Sequence, residues 1–201
     1  MSRPRRIAAI LAGFAVAALV LSGCSSDDSL ANQYREGNSK GYIAGDGSVT
    51  EIPADERGEA IEFDSTLEDG SAVSSADYAG EVLVVNFWYA SCAPCRAEAP
   101  DLKTISEQFA GEGASFLGVN VRDQPASAIA FNEAYEISYP SAMDVDDGGM
   151  QLAFSGSIPP NAVPTTLVLD SSGRVAARIL GQVDSPSILE TLIKDTIAED
   201  G

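Results

Sequence analysis

Histidine is absent from this chain of 201 residues. That absence removes His-based catalytic triads, imidazole metal ligands and histidine acid–base schemes together. Cysteine is scarce, at three residues, and the single tryptophan is Trp88. Bases are heavily outnumbered: 12 Lys and Arg face 30 Asp and Glu, for a formal net charge of -18. Three of those bases, Arg3, Arg5 and Arg6, sit at the extreme N-terminus, and beyond them only nine bases remain against the 30 acids. A surface of that sign repels phosphate backbones and anionic headgroups, which argues against nucleic acid as a partner. Internal repeats and large low-complexity blocks are lacking too. What is present, 45% hydrophobic and 21% charged residues, suits one ordinary domain with a sizeable core plus an appendage.

The longest apolar run, Ile7 to Leu21, is fifteen residues, short of the ~20 that a membrane-spanning helix needs. Arginines precede it and small residues follow, the layout of an export signal. Leu21-Ser22-Gly23-Cys24 resembles the bacterial lipobox, in which the cysteine is lipidated and becomes the mature N-terminus. Residues 1–23 are therefore expected to be a lipoprotein signal peptide and Cys24 the lipid attachment site. The alternative is an uncleaved membrane anchor with an incidental cysteine. Either way the protein is expected outside the cytoplasm, held at the cell membrane. With Cys24 acylated, Cys92 and Cys95 are the two thiols left to pair.

From Ser25 to about Arg57 the chain is polar and acidic, and residues 24–59 are expected to form a tether followed by an extended arm. Within it Tyr42-Ile43 and Val49 flank Gly45-Asp46-Gly47, the pattern of a hairpin or an arm laid on the domain. The domain is expected over 60–201. Asp69-Gly70 between two short strand-like runs signals a hairpin. "EVLVVNFWY" reads as a strand buried on both faces. "CRAEAPDLKTISEQFAG" has helical spacing at Leu102, Ile105 and Phe109 and stops at Gly111. "ASFLGVNV" is a second buried strand. "ASAIAFNEAYEI" is a helix expected to turn Ile129, Ala130 and Tyr135 to the core. "YPSAMD" and "DGGMQLAFSGSI" are expected to hold a short helix and loop. "VPTTLVLDSSGRVAARILG" is strand, turn, strand. Ser185 and Pro186 then start a closing amphipathic helix. From Glu81 the order β-α-β-α-β-β-α implies a mixed sheet covered by helices on both faces.

Cys92 and Cys95 lie where a buried strand gives way to a helix. Positions i and i+3 share a helix face, so the two sulfurs are within bonding reach. At a helix N-terminus the unpaired N–H groups and the dipole favour negative charge, which lowers a thiol's pKa below the free ~8.5. The thiolate is the form that attacks a disulfide. Pro94 costs little in the first helical turn, and Arg96 adds positive potential nearby. A purely structural disulfide is disfavoured, because so small a loop removes little unfolded-state entropy. Tetrahedral zinc wants four ligands, whereas two thiolates and no imidazole are on offer. A Cu(I) carrier needs only two sulfurs and stays as the alternative of another class.

"NFWYASCAPCRAEAP" resembles the active-site segment of the thioredoxin superfamily, and within it the TlpA/ResA/CcmG group of extracytoplasmic thiol–disulfide oxidoreductases. Trp88 four residues before the first cysteine, Glu98 and Pro100 in C-x-x-C-x-x-E-x-P, and Val163-Pro164 ahead of a strand carry the likeness. The resemblance implies a thioredoxin-like α/β fold with a mixed central sheet flanked by helices, an N-terminal hairpin and a TlpA-type insert. It implies catalytic Cys92 and Cys95, with Glu98 taking the proton of Cys95 because Asn86 holds the place where cytoplasmic thioredoxins keep an aspartate. It implies a cis peptide at Pro164 and a substrate groove framed by Trp88, Ala93, Pro94, Val163 and Pro164. No cofactor or metal is implied. The expected partners are exported protein thiols or disulfides, and a membrane electron donor of the DsbD/CcdA kind or an oxidising quinone-linked one; a monomer is expected. Ala93-Pro94 lacks the histidine that strong oxidants place between the cysteines, which favours a reductant, with cytochrome c maturation the family's reductive task. A disulfide-forming oxidase is the alternative. The peroxiredoxin pattern fails because no proline lies in Phe87–Ser91.

Overall fold

The computed structural model describes residues 49–158 and 162–200. The leader, Cys24 and the Gly45-Asp46-Gly47 turn lie outside the described residues.

The run expected to be buried on both faces is the central strand of a six-stranded sheet. This strand, β4 (Val82–Trp88), is buried at every residue. Successive side chains on a strand point to opposite faces. Leu83, Val85 and Phe87 therefore enter one core, with Leu117, Val119, Leu167 and Leu169 from the neighbouring strands. Asn86 and Trp88 face the other way. In chain order the preceding elements are β1 (Val49–Glu51), β2 (Asp64–Thr66) and β3 (Ala72–Ser74), with a 3-10 turn at Ser75–Tyr78. After β4 come α1 (Ala93–Phe109), β5 (Ala114–Asn120), α2 (Pro125–Tyr135), β6 (Ser141–Met143), α3 (Gly149–Ala153), β7 (Thr165–Leu169), β8 (Val175–Leu180) and α4 (Pro186–Asp200).

The sheet runs β1-β8-β7-β4-β5-β6 and is mixed. β4 pairs parallel with β5 and β5 with β6, whereas β7 is antiparallel to both β4 and β8. β1, from the stretch expected as an arm, pairs antiparallel with β8 from Val49 opposite Ile179 to Glu51 opposite Ala177. The Asp69-Gly70 signal is confirmed: β2 and β3 form a separate two-stranded sheet around it, and Gly70 takes φ 86, which glycine adopts without strain.

The helices are shared unevenly between the faces. α1, α2 and α4 cover the Asn86–Trp88 side. The opposite side is closed by the short α3, through Met150 and Phe154, and by Phe63 and Val73 of the hairpin region. Two expectations are corrected. β6 was expected as loop; its three residues pair with Gly118–Asn120 of β5. In α2 the buried residues are Ala128 and Phe131, with Tyr135 packed on their cluster, while Ile129 is 39% exposed and Ala130 also faces solvent. A helix apolar on all sides gives no stripe to read, and the Trp88 ring selects the 128/131/135 face. Pro186 opens α4 as expected, with the Ile188 N–H donating to the Ser185 carbonyl at 3.0 Å.

Candidate active site

β4 ends at Trp88, and four residues later the chain enters α1 with Cys92 as its N-cap. The loop between is pinned twice. The Cys92 N–H donates to the Tyr89 carbonyl at 3.1 Å, and the Ala90 N–H donates to Asp123 Oδ2 at 2.6 Å. Asp123 is held in turn by Asn120 Nδ2 at 2.9 Å. This brace at the end of β5 escaped the sequence analysis, although Asn120-x-x-Asp123 directly after a strand is a recognisable turn signal.

Cys92 and Cys95 form a disulfide with S–S 2.05 Å and Cα–Cα 5.3 Å. Both cysteines are buried, 3% and 2% exposed, so exposure alone does not choose the nucleophile. Position does. Cys92 Sγ accepts the Cys95 N–H at 3.2 Å, one of the donors that an α-helix start leaves unpaired. Cys95 faces the interior, in a cluster with Trp88, Ala99, Ala128 and Phe131. Ala93 and Pro94 are exposed beside the disulfide. Trp88 is 4% exposed and packs on Phe131 with ring centroids 4.3 Å apart.

The Val163–Pro164 peptide is cis, Val163 packs on the cysteine cluster, and Pro164 is buried with its carbonyl accepting the Gly181 N–H at 2.9 Å. Two cations sit on the loop that leads into the cysteines. Arg96 Nη1 donates to the Ala90 carbonyl at 3.3 Å, and the Arg122 guanidinium covers the Tyr89 ring at 4.0 Å.

Glu98, one helical turn beyond Cys95 on the same face of α1, is fully buried. Its Oε1 accepts from Asn86 Nδ2 at 3.0 Å and its Oε2 from the Val183 N–H at 2.8 Å. Asn86 Nδ2 also donates to Thr166 Oγ1 at 3.1 Å. Burial pushes the Glu98 carboxyl up to about 7, against the hydrogen bonds from Val183 and Asn86, and nearby Asp184 adds to the rise. Burial, with the Glu98 carboxylate adding to it, also holds the Tyr139 phenol above its ordinary range. The site thus joins a redox pair to a buried acid that titrates near neutrality. Among the described residues, no three Cys, Asp or Glu side chains cluster as a metal site.

A helix-capping Cys-x-x-Cys disulfide beside a cis-proline, at the end of the central strand of such a sheet, defines a thiol–disulfide oxidoreductase with a thioredoxin-like fold. Redox exchange runs through Cys92 and Cys95. The chain belongs to the Redoxin family, whose model matches residues 50–193. It is similar to the thiol–disulfide oxidoreductase ResA of Bacillus thuringiensis, 27% identical over 138 residues that make up 69% of this chain and 77% of the relative. It is similar also to the thiol:disulfide interchange protein HelX of Rhodobacter capsulatus, 32% identical over 113 residues, 56% of this chain and 60% of that one. Among solved structures, a DsbF homologue from Corynebacterium diphtheriae superposes with a TM-score of 0.66 at 33% identity, covering 77% of this chain and 96% of its own.

Proposed function

We propose that this oxidoreductase is an extracytoplasmic reductant, lipid-anchored through Cys24, that reduces disulfides of exported proteins. The observation that carries the direction is the bonding of Cys92. Among the described residues its sulfur accepts one hydrogen bond, from the Cys95 N–H, and Ala93-Pro94 adds none. A strong oxidant owes its potential to a stabilised reduced form. A lightly stabilised Cys92 thiolate supports a lower potential, and the buried Glu98 carboxyl works in the same direction when charged.

In the forward reaction the Cys92 thiolate attacks a client disulfide, forming a mixed disulfide and expelling one client thiolate. Cys95 then gives its proton to Glu98 and attacks Cys92, releasing the second client thiolate. Two electrons pass to the client, and the enzyme is left as the disulfide. A carboxyl that titrates near 7 is suited to accept and return that proton at neutral pH. Trp88, Ala93, Pro94, Val163 and Pro164 frame the docking groove. Electrons return through a membrane donor of the DsbD/CcdA kind, and cytochrome c maturation, the reductive task of the family it resembles, is the client pathway. Among the described residues no helix is long and apolar enough to cross a membrane, so tethering rests on the leader and Cys24.

The test is the equilibrium potential of the Cys92–Cys95 pair in the full chain in detergent, poised against dithiothreitol and glutathione with Trp88 fluorescence as reporter. A value near ~−270 mV supports the reductant, and a value near ~−120 mV makes the protein a disulfide-forming oxidase. For the anchor, Cys24→Ser should abolish labelling by radioactive fatty acid; labelling that persists sinks the lipoprotein assignment.

A further inference from the structure

Against Cys95 lies a small chamber of about 10 Å3, room for one water molecule. Its walls include Cys95, Asn86, Trp88, Asn132, Tyr139 and Ser141. Two of the polar groups there have no hydrogen-bond partner among the described residues, Ser141 Oγ and Asn132 Oδ1, and both atoms are closed to solvent. Ser141 is 0% exposed. An unpaired buried hydroxyl or amide oxygen is costly, so two of them on one chamber call for a shared partner.

Their orientation is set from outside the chamber by Glu68, a residue of the β2–β3 hairpin turn. Glu68 Oε2 accepts the Ser141 backbone N–H at 2.7 Å, and Oε1 accepts Asn132 Nδ2 at 3.1 Å. A carboxylate is acceptor-only. With one oxygen taken by a backbone donor, the other requires a donor too, so Asn132 must turn its NH2 toward Glu68. Its carbonyl oxygen is thereby left to the chamber. Glu68 is a positioning residue, and nothing in its local sequence announces that role.

We infer that this chamber holds one structural water that hydrogen-bonds the Cys95 sulfur during thiol–disulfide exchange, with Ser141, Asn132 and Glu68 as the residues that place it. The bonding closes. Ser141 Oγ–H donates to the water, and the water donates one hydrogen to Asn132 Oδ1 and the other to Cys95 Sγ. In the oxidised enzyme that last bond is weak. When Cys95 becomes a thiolate, the water donates to a full negative charge, where a hydrogen bond is stronger than to a neutral sulfur. Glu98 takes the proton, and the water stabilises what the proton leaves behind. The inference rests on Cys95 being the resolving thiol. Among the described residues, the titratable or charged groups around that sulfur include Cys92, Arg96 and Glu98 on α1, Tyr89 before it, Tyr135 on α2, Tyr139 ahead of β6, Glu68 behind Asn132, and Asp184, which faces Glu98 from the loop before α4.

The test loads Cys92 of the full chain as a mixed disulfide with thionitrobenzoate and follows release of the coloured thiolate against pH. Release reports attack by Cys95. Ser141→Ala removes the donor that orients the water, and is expected to move the midpoint of the profile about one pH unit upward, a roughly tenfold slower release below it. Ser141→Thr, which restores a hydroxyl, should recover most of that loss. Release that survives Cys95→Ser overturns the resolving role of Cys95 and the chamber's part with it. Release lost in Cys95→Ser but unaltered in Ser141→Ala overturns the chamber's part alone. A second measurement needs no variant. Water-selective nuclear Overhauser spectra of the reduced protein should show a long-lived water beside the Asn132 side-chain amide, and no such water would refute the assignment.

Discussion

Asn86 Nδ2 lies 3.0 Å from Glu98 Oε1, joining the central strand to the active-site helix where neither residue reaches solvent. The two groups that donate to Glu98, the Asn86 amide and the Val183 N–H, are neutral. A buried carboxylate held without a cation is costly to ionise, and that is why its titration moves to about 7. Asn86 thus replaces an acid on the strand with a partner for an acid on the helix.

Stability should therefore depend on pH in a definite direction. In the unfolded chain Glu98 releases its proton near ~4.3, and in the native protein only near 7. Below ~4.3 both states are protonated and the contribution is fully present. As pH rises toward 7 the native state holds the extra proton and stability is lost, by up to about 4 kcal/mol, with no further change above. Urea unfolding of wild type and Glu98→Gln across this window checks it. Glu98→Gln should flatten the slope; superimposable slopes would exonerate Glu98.

Cys92→Ser should be inactive. Cys95→Ser should accumulate a mixed disulfide with the client, visible as a thiol-sensitive adduct on a non-reducing gel. Glu98→Gln should slow release of the second client thiol by roughly 10²-fold, and slow the first attack less. Equal slowing of both steps would remove Glu98 from the resolving step.

Gly118 on β5 has no room for a side chain. A Cβ there would come 2.5 Å from Ser141 Oγ and 2.8 Å from Trp88 Nε1. Gly118→Ala should cost roughly 1–3 kcal/mol in urea unfolding and change the Trp88 emission, because the indole must shift. An unperturbed stability and spectrum would show that β6 gives way freely.

Arg57, with its side chain 3% exposed, ties the chain after β1 to the β7–β8 turn and to α4. It contacts Asp170 at 3.1 Å, the Ile52 carbonyl at 3.1 Å, and Glu199. Burial raises the Asp170 carboxyl, but hydrogen bonds from the Arg174 backbone and from the Arg57 and Arg174 side chains outweigh it and hold it below its ordinary value. Its contribution is present above the unfolded ~3.9 and lost as pH falls below that. Arg57→Ala should cost about 3 kcal/mol, with Arg174 still at hand, and weaken acid resistance. The potential of the cysteine pair should stay put; a shifted potential would mean that this network reaches the site.

The strand Val82–Trp88 and the helix from Ala93 were legible because a continuous apolar run and a capped Cys-x-x-Cys leave few alternatives. β6 was not, since three residues paired to one neighbour give no alternation to read. Glu98 shows the limit for the site. Its place in the motif was legible, but its burial depends on Val183, 85 residues away in the chain, and on Asn86. Ser141, Asn132 and Glu68 meet only through tertiary structure, and none has a local pattern.

The outer strands β1 and β6 are three residues each, and the open side of β6 is stitched by an isolated bridge from Leu67 to Ala142 and by the Glu68 N–H to the Ser141 carbonyl at 3.1 Å. A long bare edge templates strand addition. An enzyme that exchanges disulfides with other chains meets them with cysteines, and often whole strands, still unpaired. Among the described residues the sheet thus gives another chain a sulfur to bond but little edge backbone to zip onto.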